Sequence, residues 1–118
     1  MIYKKTLCFD LDGVICTTKK NFYKKSKPKI STINLINKLY DKGYFIKIYT
    51  ARYMGRNKDN ISKAKKEGFK FTKKQLKTWN LKYHKLIMGK TSYDYIIDDK
   101  SIGFNLNWKT ELKKKLRF

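Results

Sequence analysis

An apolar run that ends in Phe9-Asp10-Leu11-Asp12-Gly13-Val14 constrains this chain more than any other stretch. The run reads as a β-strand entering a tight turn, which sets two carboxylates, one residue apart, at the strand's carboxyl end. Ligands of open α/β sheets bind at that end. A carboxylate there can attack phosphorus and form an acyl phosphate. A second one, two positions on, can protonate a leaving oxygen and later activate water. Gly13 allows the backbone to leave the strand at a φ closed to other residues. Asp and Gly are also ordinary turn formers, so an inert surface turn is the competing reading of this stretch alone.

Later segments repeat the pattern. Residues 44–49 (Tyr-Phe-Ile-Lys-Ile-Tyr) read as a strand that runs into Thr50-Ala51-Arg52. Tyr95-Ile96-Ile97 reads as another and runs into Asp98-Asp99-Lys100, with Gly89-Lys90 shortly before it. A DxD pair, a hydroxyl, a lysine and an acidic pair thus occur in order, each after or beside an expected strand. In this the chain resembles the haloacid dehalogenase-like (HAD) phosphohydrolases, from Leu7 to about Phe104. It is similar in particular to small bacterial HAD phosphatases encoded with capsule or lipopolysaccharide biosynthesis. The stretch from Gly89 through Tyr93-Asp94-Tyr95 to Lys100 is the most similar to that subgroup.

The resemblance implies roles for these residues. Asp10 would be the nucleophile and a Mg²⁺ ligand. Asp12 would be the general acid/base, its backbone carbonyl also on the metal. Thr50 would donate its hydroxyl to a phosphoryl oxygen, and Lys90 would neutralise phosphoryl charge and keep Asp10 ionised. Lys82 and Lys85 fit the family spacing less well. Asp99 would ligate the metal directly, and Asp98 directly or through water. Mg²⁺ suits this set, because it takes one or two carboxylates and keeps several waters. Two adjacent acids without a cation would also repel one another. Ala51 and Arg52, beside Thr50, are expected to line the substrate. Asp12 separates phosphatases from the dehalogenase branch, which lacks the second aspartate.

The alternation of strands and helices implies an α/β fold, a three-layer Rossmann-like (HAD-like) parallel sheet flanked by helices. Strands are expected at 4–10, 44–49, 86–88 and 95–97. Helices are expected at 31–42, capped by Ser31 or Thr32 and ended by Gly43, at 57–67, closed by Gly68, at 73–81, and at Trp108–Leu116. Residues 15–28, polar, basic and aromatic, read as a loop or small hairpin beside the site. A length of 118 residues fits one domain spanning 1–118. Neither interval between motifs has room for a folded cap, so the site is expected to be open. Capless relatives act on large substrates or close the site with a neighbouring subunit, so a small-molecule substrate favours a homo-oligomer.

Thirty Lys and Arg against nine acids give a net charge of +21, which ordinarily suggests nucleic acid or an anionic membrane. The excess is nearly all lysine, with arginine only at Arg52, Arg56 and Arg117. Arginine is the residue suited to bidentate phosphate or base recognition, so its scarcity weighs against a dedicated nucleic-acid surface. The joint richness in Lys, Ile, Asn and Tyr fits compositional drift of an AT-rich genome. Cys8, inside the first strand, reads as a small apolar core residue. His84, Trp79, Tyr83 and Trp108 read as packing residues. With no signal-like segment and no run approaching the ~20 apolar residues of a membrane span, a cytoplasmic protein is expected. The function these readings imply is a Mg²⁺-dependent phosphomonoesterase acting on a small phosphorylated sugar, polyol or related precursor of surface polysaccharide. The alternatives are a nucleic-acid end-processing phosphatase and a basic binding protein with a disused fold.

Overall fold

The computed structural model describes residues 2–117. Its centre is a parallel sheet of Thr6–Asp10 (β1), Phe45–Thr50 (β4) and Lys85–Met88 (β5), in the order β1-β4-β5. Between β1 and β4 come a small antiparallel hairpin, Cys16–Thr17 (β2) with Lys27–Pro28 (β3), and the helix Ile30–Asp41 (α1). The helix Ile61–Thr78 (α2) joins β4 to β5, and Trp108–Leu116 (α3) follows at the end. The sheet flanked by three helices is the expected Rossmann-like architecture, with no cap between β1 and β4 or after β4. Among the described residues, no helix is long and apolar enough to cross a membrane.

Register explains the core. Leu7 lies opposite Ile46, Phe9 opposite Ile48, Ile48 opposite Leu86 and Thr50 opposite Met88. Residues that face one another across a sheet share a side, so Leu7, Phe9, Ile46, Ile48 and Leu86 make one apolar surface. Ile33, Ile36 and Leu39 of α1, Leu76 of α2 and Leu112 of α3 pack into the same cluster. The three-residue spacing of Ile33, Ile36 and Leu39 puts them on one face of α1. α1 begins at Ile30 after Lys29 with no side-chain cap, and Thr32, expected as a cap, is buried instead.

Three expectations are corrected. The helices expected at 57–67 and 73–81 are one helix, α2. Gly68 does not end it: Gly68 is buried in mid-helix, and a Cβ there would stand 1.9 Å from the Tyr53 ring. The glycine costs about 1 kcal/mol of helix propensity and in return admits the ring. Ala64, Gly68, Thr72 and Leu76, four apart, are the buried stripe. Cys8 is exposed rather than part of the core, because strand alternation puts it on the side of the sheet away from Leu7 and Phe9, level with Lys47.

Tyr95-Ile96-Ile97 is not a strand. All residues from 91 to 101 are exposed, with Tyr95 at 88% and Ile97 at 94%. The hydrogen bonds at either end of this stretch go to partners other than β1. Thr91 and Ser92 donate hydroxyl hydrogen bonds to Asp59, just before α2. Asp98 closes its own turn, accepting from the Lys100 amide at 2.9 Å. The free edge of β1 is therefore left unpaired.

His84 is structural, as expected. It stacks between Tyr40 and Phe45, with ring centroids 4.5 Å from each, and its Nδ1 accepts a hydrogen bond from the Ile46 amide. Trp79, Tyr83 and Trp108 pack against the core.

Candidate active site

The carboxyl ends of β1, β4 and β5 bring Asp10, Thr50 and Lys90 to one end of the sheet. Asp10 is the last residue of β1 and Thr50 the last of β4. Lys90 follows β5, and its amide donates to the Thr50 carbonyl at 3.1 Å, which continues the ladder one step past the strand. The turn between β5 and Lys90 is made by Gly89 at φ +100, a backbone conformation open to glycine.

Asp10 Oδ2 lies 3.5 Å from Lys90 Nζ, and Oδ1 accepts from the Leu11 amide at 2.9 Å. Burial pushes the Asp10 carboxyl above its ordinary value, against the pull of Lys90 and the Leu11 amide. Burial also works against the charge on Lys90, but Tyr93 and Asp10 outweigh it and hold the ammonium above its usual range. Each partner thus favours the charged form of the other. Lys90, singled out in sequence from many lysines, is the one that meets Asp10.

Asp12 turns the other way, into a polar network centred on Arg52. Nε of Arg52 is 3.0 Å from Asp12 Oδ2 and 3.2 Å from Oδ1, and Nη2 is 2.9 Å from Oδ1. Thr18 donates to Oδ1 at 2.6 Å. On its far side Arg52 donates to Gln75 Oε1 at 2.7 Å, and Gln75 Nε2 donates to the Tyr23 carbonyl at 2.8 Å. Ser26 accepts from Arg52 Nη2 and shares a 2.6 Å hydrogen bond with Thr18. A guanidinium is satisfied here on every side, which is why Arg52 can be only 1% exposed. Arg52 is expected at the substrate, yet its side chain is spent on Asp12. Thr50 is fully buried, and its Oγ1 accepts from the Arg52 amide at 3.1 Å, so that its own proton remains to be donated. Ala51 is half-buried beside it.

Sequence reading missed Thr18, Ser26 and Gln75. The signal for Gln75 was there in part: it precedes Leu76 and lies three residues beyond Thr72, close to the buried stripe of α2. Nothing in a Thr or Ser of a basic loop announces a contact with Asp12.

The fold does not bring Asp98 and Asp99 to Asp10. Both are exposed on the segment that leaves β1 unpaired. Among the described residues, no three His, Cys, Asp or Glu side chains group closely enough to hold a metal ion. Asp10 offers one carboxylate, and the acidic pair stands apart from it. In this arrangement the residues do not fit the magnesium centre that the family resemblance implies.

Comparison with solved structures places the fold. A crystal structure of a structural-genomics target from Vibrio cholerae superposes with a TM-score of 0.78 at 25% identity, covering 95% of this chain and 98% of that one. A chain of the Pnkp1/Rnl/Hen1 complex matches with a TM-score of 0.55 at 17% identity, covering 96% of this chain. A second structure, of the Pnkp1/Rnl/Hen1 RNA repair complex, matches at 0.53 and 16%. The chain spans about a third of the length of those two, 34% and 31%. No protein-family model matches the chain, and no curated protein does. The fold defines the class: an α/β domain of Rossmann-like, HAD-like architecture, with no cap among the described residues.

Proposed function

We propose that this protein is a phosphomonoesterase working through an aspartyl-phosphate. The observation that carries the reading is the meeting of Asp10 with the Lys90 ammonium at 3.5 Å, at the carboxyl end of the sheet where Thr50 also ends its strand. A lysine placed there offsets the charge of an incoming phosphate that would otherwise be repelled by a carboxylate nucleophile. The net charge of +21 works in the same direction over longer range.

In the first step an Asp10 oxygen bonds to phosphorus while the bond from phosphorus to the ester oxygen breaks. The departing alkoxide takes a proton from Asp12. Oδ2 is the oxygen suited to this, since it accepts only from Arg52 Nε whereas Oδ1 also faces Nη2 and Thr18. In the second step water attacks phosphorus, Asp12 takes its proton, and the phosphorus–Asp10 bond breaks to release phosphate. Positioning and charge supply most of the catalysis in such transfers.

The substrate class proposed is a small phosphorylated sugar, polyol or related precursor, with a place in surface-polysaccharide synthesis resting on the subgroup resemblance. Similarity to chains of an RNA repair complex supports a second reading, removal of phosphate from nucleic-acid ends. The test is phosphate release from sugar phosphates, polyol phosphates, nucleotides and 3′-phosphorylated oligonucleotides, with and without Mg²⁺, with Asp10→Asn as control. Turnover of a small metabolite that Asp10→Asn abolishes is the expected result. Turnover confined to oligonucleotides selects the second reading, and turnover that survives Asp10→Asn overturns the mechanism.

A further inference from the structure

The chain after β5 is fixed residue by residue as far as Ser92. Gly89, at φ +100, lies against the first residue of α2 so closely that a Cβ there would stand 3.0 Å from the Ile61 side chain. The Lys90 amide follows with its hydrogen bond to the Thr50 carbonyl. Thr91 and Ser92 then donate to the two carboxylate oxygens of Asp59, at 3.3 and 2.9 Å. Asp59 sits at φ +59 directly after Lys58 at φ +52, and its amide donates to the Met54 carbonyl at 2.8 Å. Two successive non-glycine residues in the left-handed region are uncommon. Such backbone persists where its surroundings fix it, and it clusters at functional sites.

Tyr93 comes next, and its ring returns to Lys90. The ammonium lies over the ring, 5.1 Å from its centroid, within the range of a cation–π contact. Tyr93 is 41% exposed where Tyr95 is 88% and Ile97 94%, so of the three it is the one turned toward the protein. The Lys90 side chain beneath it is only 14% exposed.

A lysine at this place needs such a holder. Its four-carbon stem is flexible, and its ammonium is a point charge without a preferred direction. A charge-assisted hydrogen bond from nitrogen to a carboxylate runs to about 2.7–2.9 Å, whereas Asp10 Oδ2 stands 3.5 Å away. Asp10 therefore attracts the ammonium without fixing it.

We propose that Tyr93 is a positioning residue of the candidate active site: its ring holds the Lys90 ammonium beside Asp10, and Asp59, through Thr91 and Ser92, holds Tyr93. For its effect on turnover the proposal rests on the phosphomonoesterase reading. In that reading Lys90 must meet the phosphoryl group as it arrives, and a stem already held gives up less freedom in doing so. Tyr93 acts through Lys90 and is assigned no contact with the reacting atoms.

Two measurements test this. The first needs no turnover: brief acetylation of the lysines with acetic anhydride, read site by site by peptide mass spectrometry. Lys90 should react about tenfold more slowly than the exposed Lys66 of α2, the size of one well-made contact. Tyr93→Leu keeps apolar cover over the ammonium but removes the ring, and there the Lys90 rate should rise severalfold. Asp59→Ala should raise it by less. A Lys90 rate indifferent to Tyr93→Leu overturns the proposal. The second is a double-mutant cycle on kcat/KM for para-nitrophenyl phosphate. Tyr93→Leu should lower it about tenfold, and Tyr93→Phe, which keeps the ring, by less. In a Lys90→Met background Tyr93→Leu should have no further effect. An equal loss with and without Lys90 overturns the proposal. A wild type without turnover counts against the phosphomonoesterase reading alone, and the acetylation rates then decide the role of Tyr93.

Discussion

Arg52 meets Asp12 side-on, with Nε 3.0 Å from Oδ2 and Nη2 2.9 Å from Oδ1, and it does so from inside the protein. Its side chain is wholly buried while that of Asp12 is 28% exposed. The pair therefore joins the core to the surface and fixes the orientation of the carboxylate proposed as the acid/base. Gln75 and Ser26 saturate the rest of the guanidinium. Arg52→Ala should remove this support and leave Gln75 and Asp12 without their partner. Losing one member of a buried pair costs about 3–5 kcal/mol, and partial exposure of Asp12 places the expected loss near the low end. Urea unfolding measures it. Arg52→Lys, which keeps the charge but not the planar fork, should recover less than half of that loss. Full recovery by lysine would show that charge alone suffices.

Asp10 carries a folded-state penalty. Burial raises its carboxyl above the ordinary value of 3.8, so the unfolded chain gives up its proton first as pH rises. The unfolded state then binds fewer protons, and stability falls with rising pH across that window. Asp10→Asn has no proton to lose. The variant should be more stable than the wild type at pH 7, with the difference shrinking as pH falls toward 3.8. Paired urea titrations at pH 7 and pH 3 check the sign, and a less stable variant at pH 7 contradicts it.

Lys90 should govern the acidic limb of the pH–rate profile. Attack requires ionised Asp10, and the ammonium 3.5 Å away is what opposes the effect of burial on that carboxyl. Lys90→Met should move the acidic limb of kcat/KM to higher pH and reduce its plateau by roughly 10²-fold or more. A lower plateau with an unmoved limb would mean that Lys90 contacts phosphate without tuning Asp10.

Gly68→Ala tests the contact on which Tyr53 rests. The added Cβ would lie 1.9 Å from Cε2 of the Tyr53 ring, so one of the two must move. Overpacking of this kind costs about 1–3 kcal/mol, more than the gain of roughly 1 kcal/mol in helix propensity. Net destabilisation is expected in Gly68→Ala alone. In a Tyr53→Ala background the same change should become neutral or stabilising, which a double-mutant cycle reads directly.

Much of this architecture is legible in the chain because local patterns and tertiary packing agree. The end of β1, the spacing of Ile33, Ile36 and Leu39, and the strand into Thr50 all announce themselves. Gly68 misleads because a glycine that ends a helix and a glycine that admits a neighbouring ring look alike in sequence. Arg52 misleads for a similar reason: an arginine beside a threonine expected at phosphate fits a substrate contact as well as it fits a buried tie to Asp12. What decides is the position of Gln75, 23 residues away, and no local pattern reports it.

The segment after Lys90 is where local pattern and packing part, and it offers a direct test. Tyr95-Ile96-Ile97 has strand composition, but a strand exists only with a partner, and here the edge of β1 goes unpaired while Thr91 and Ser92 hold the segment toward Asp59. Exposed aromatic residues outside regular structure are where proteases cut first. Brief chymotrypsin treatment should cleave at Tyr93, Tyr95 or Phe104 before any site in β1, β4 or α2. Amide exchange at Tyr95, Ile96 and Ile97 should approach that of an unstructured chain, because none of these amides has a backbone partner among those described. Strong protection at those three residues would mean that they pair with β1 in solution, and that Asp98 and Asp99 then lie at the same end of the sheet as Asp10.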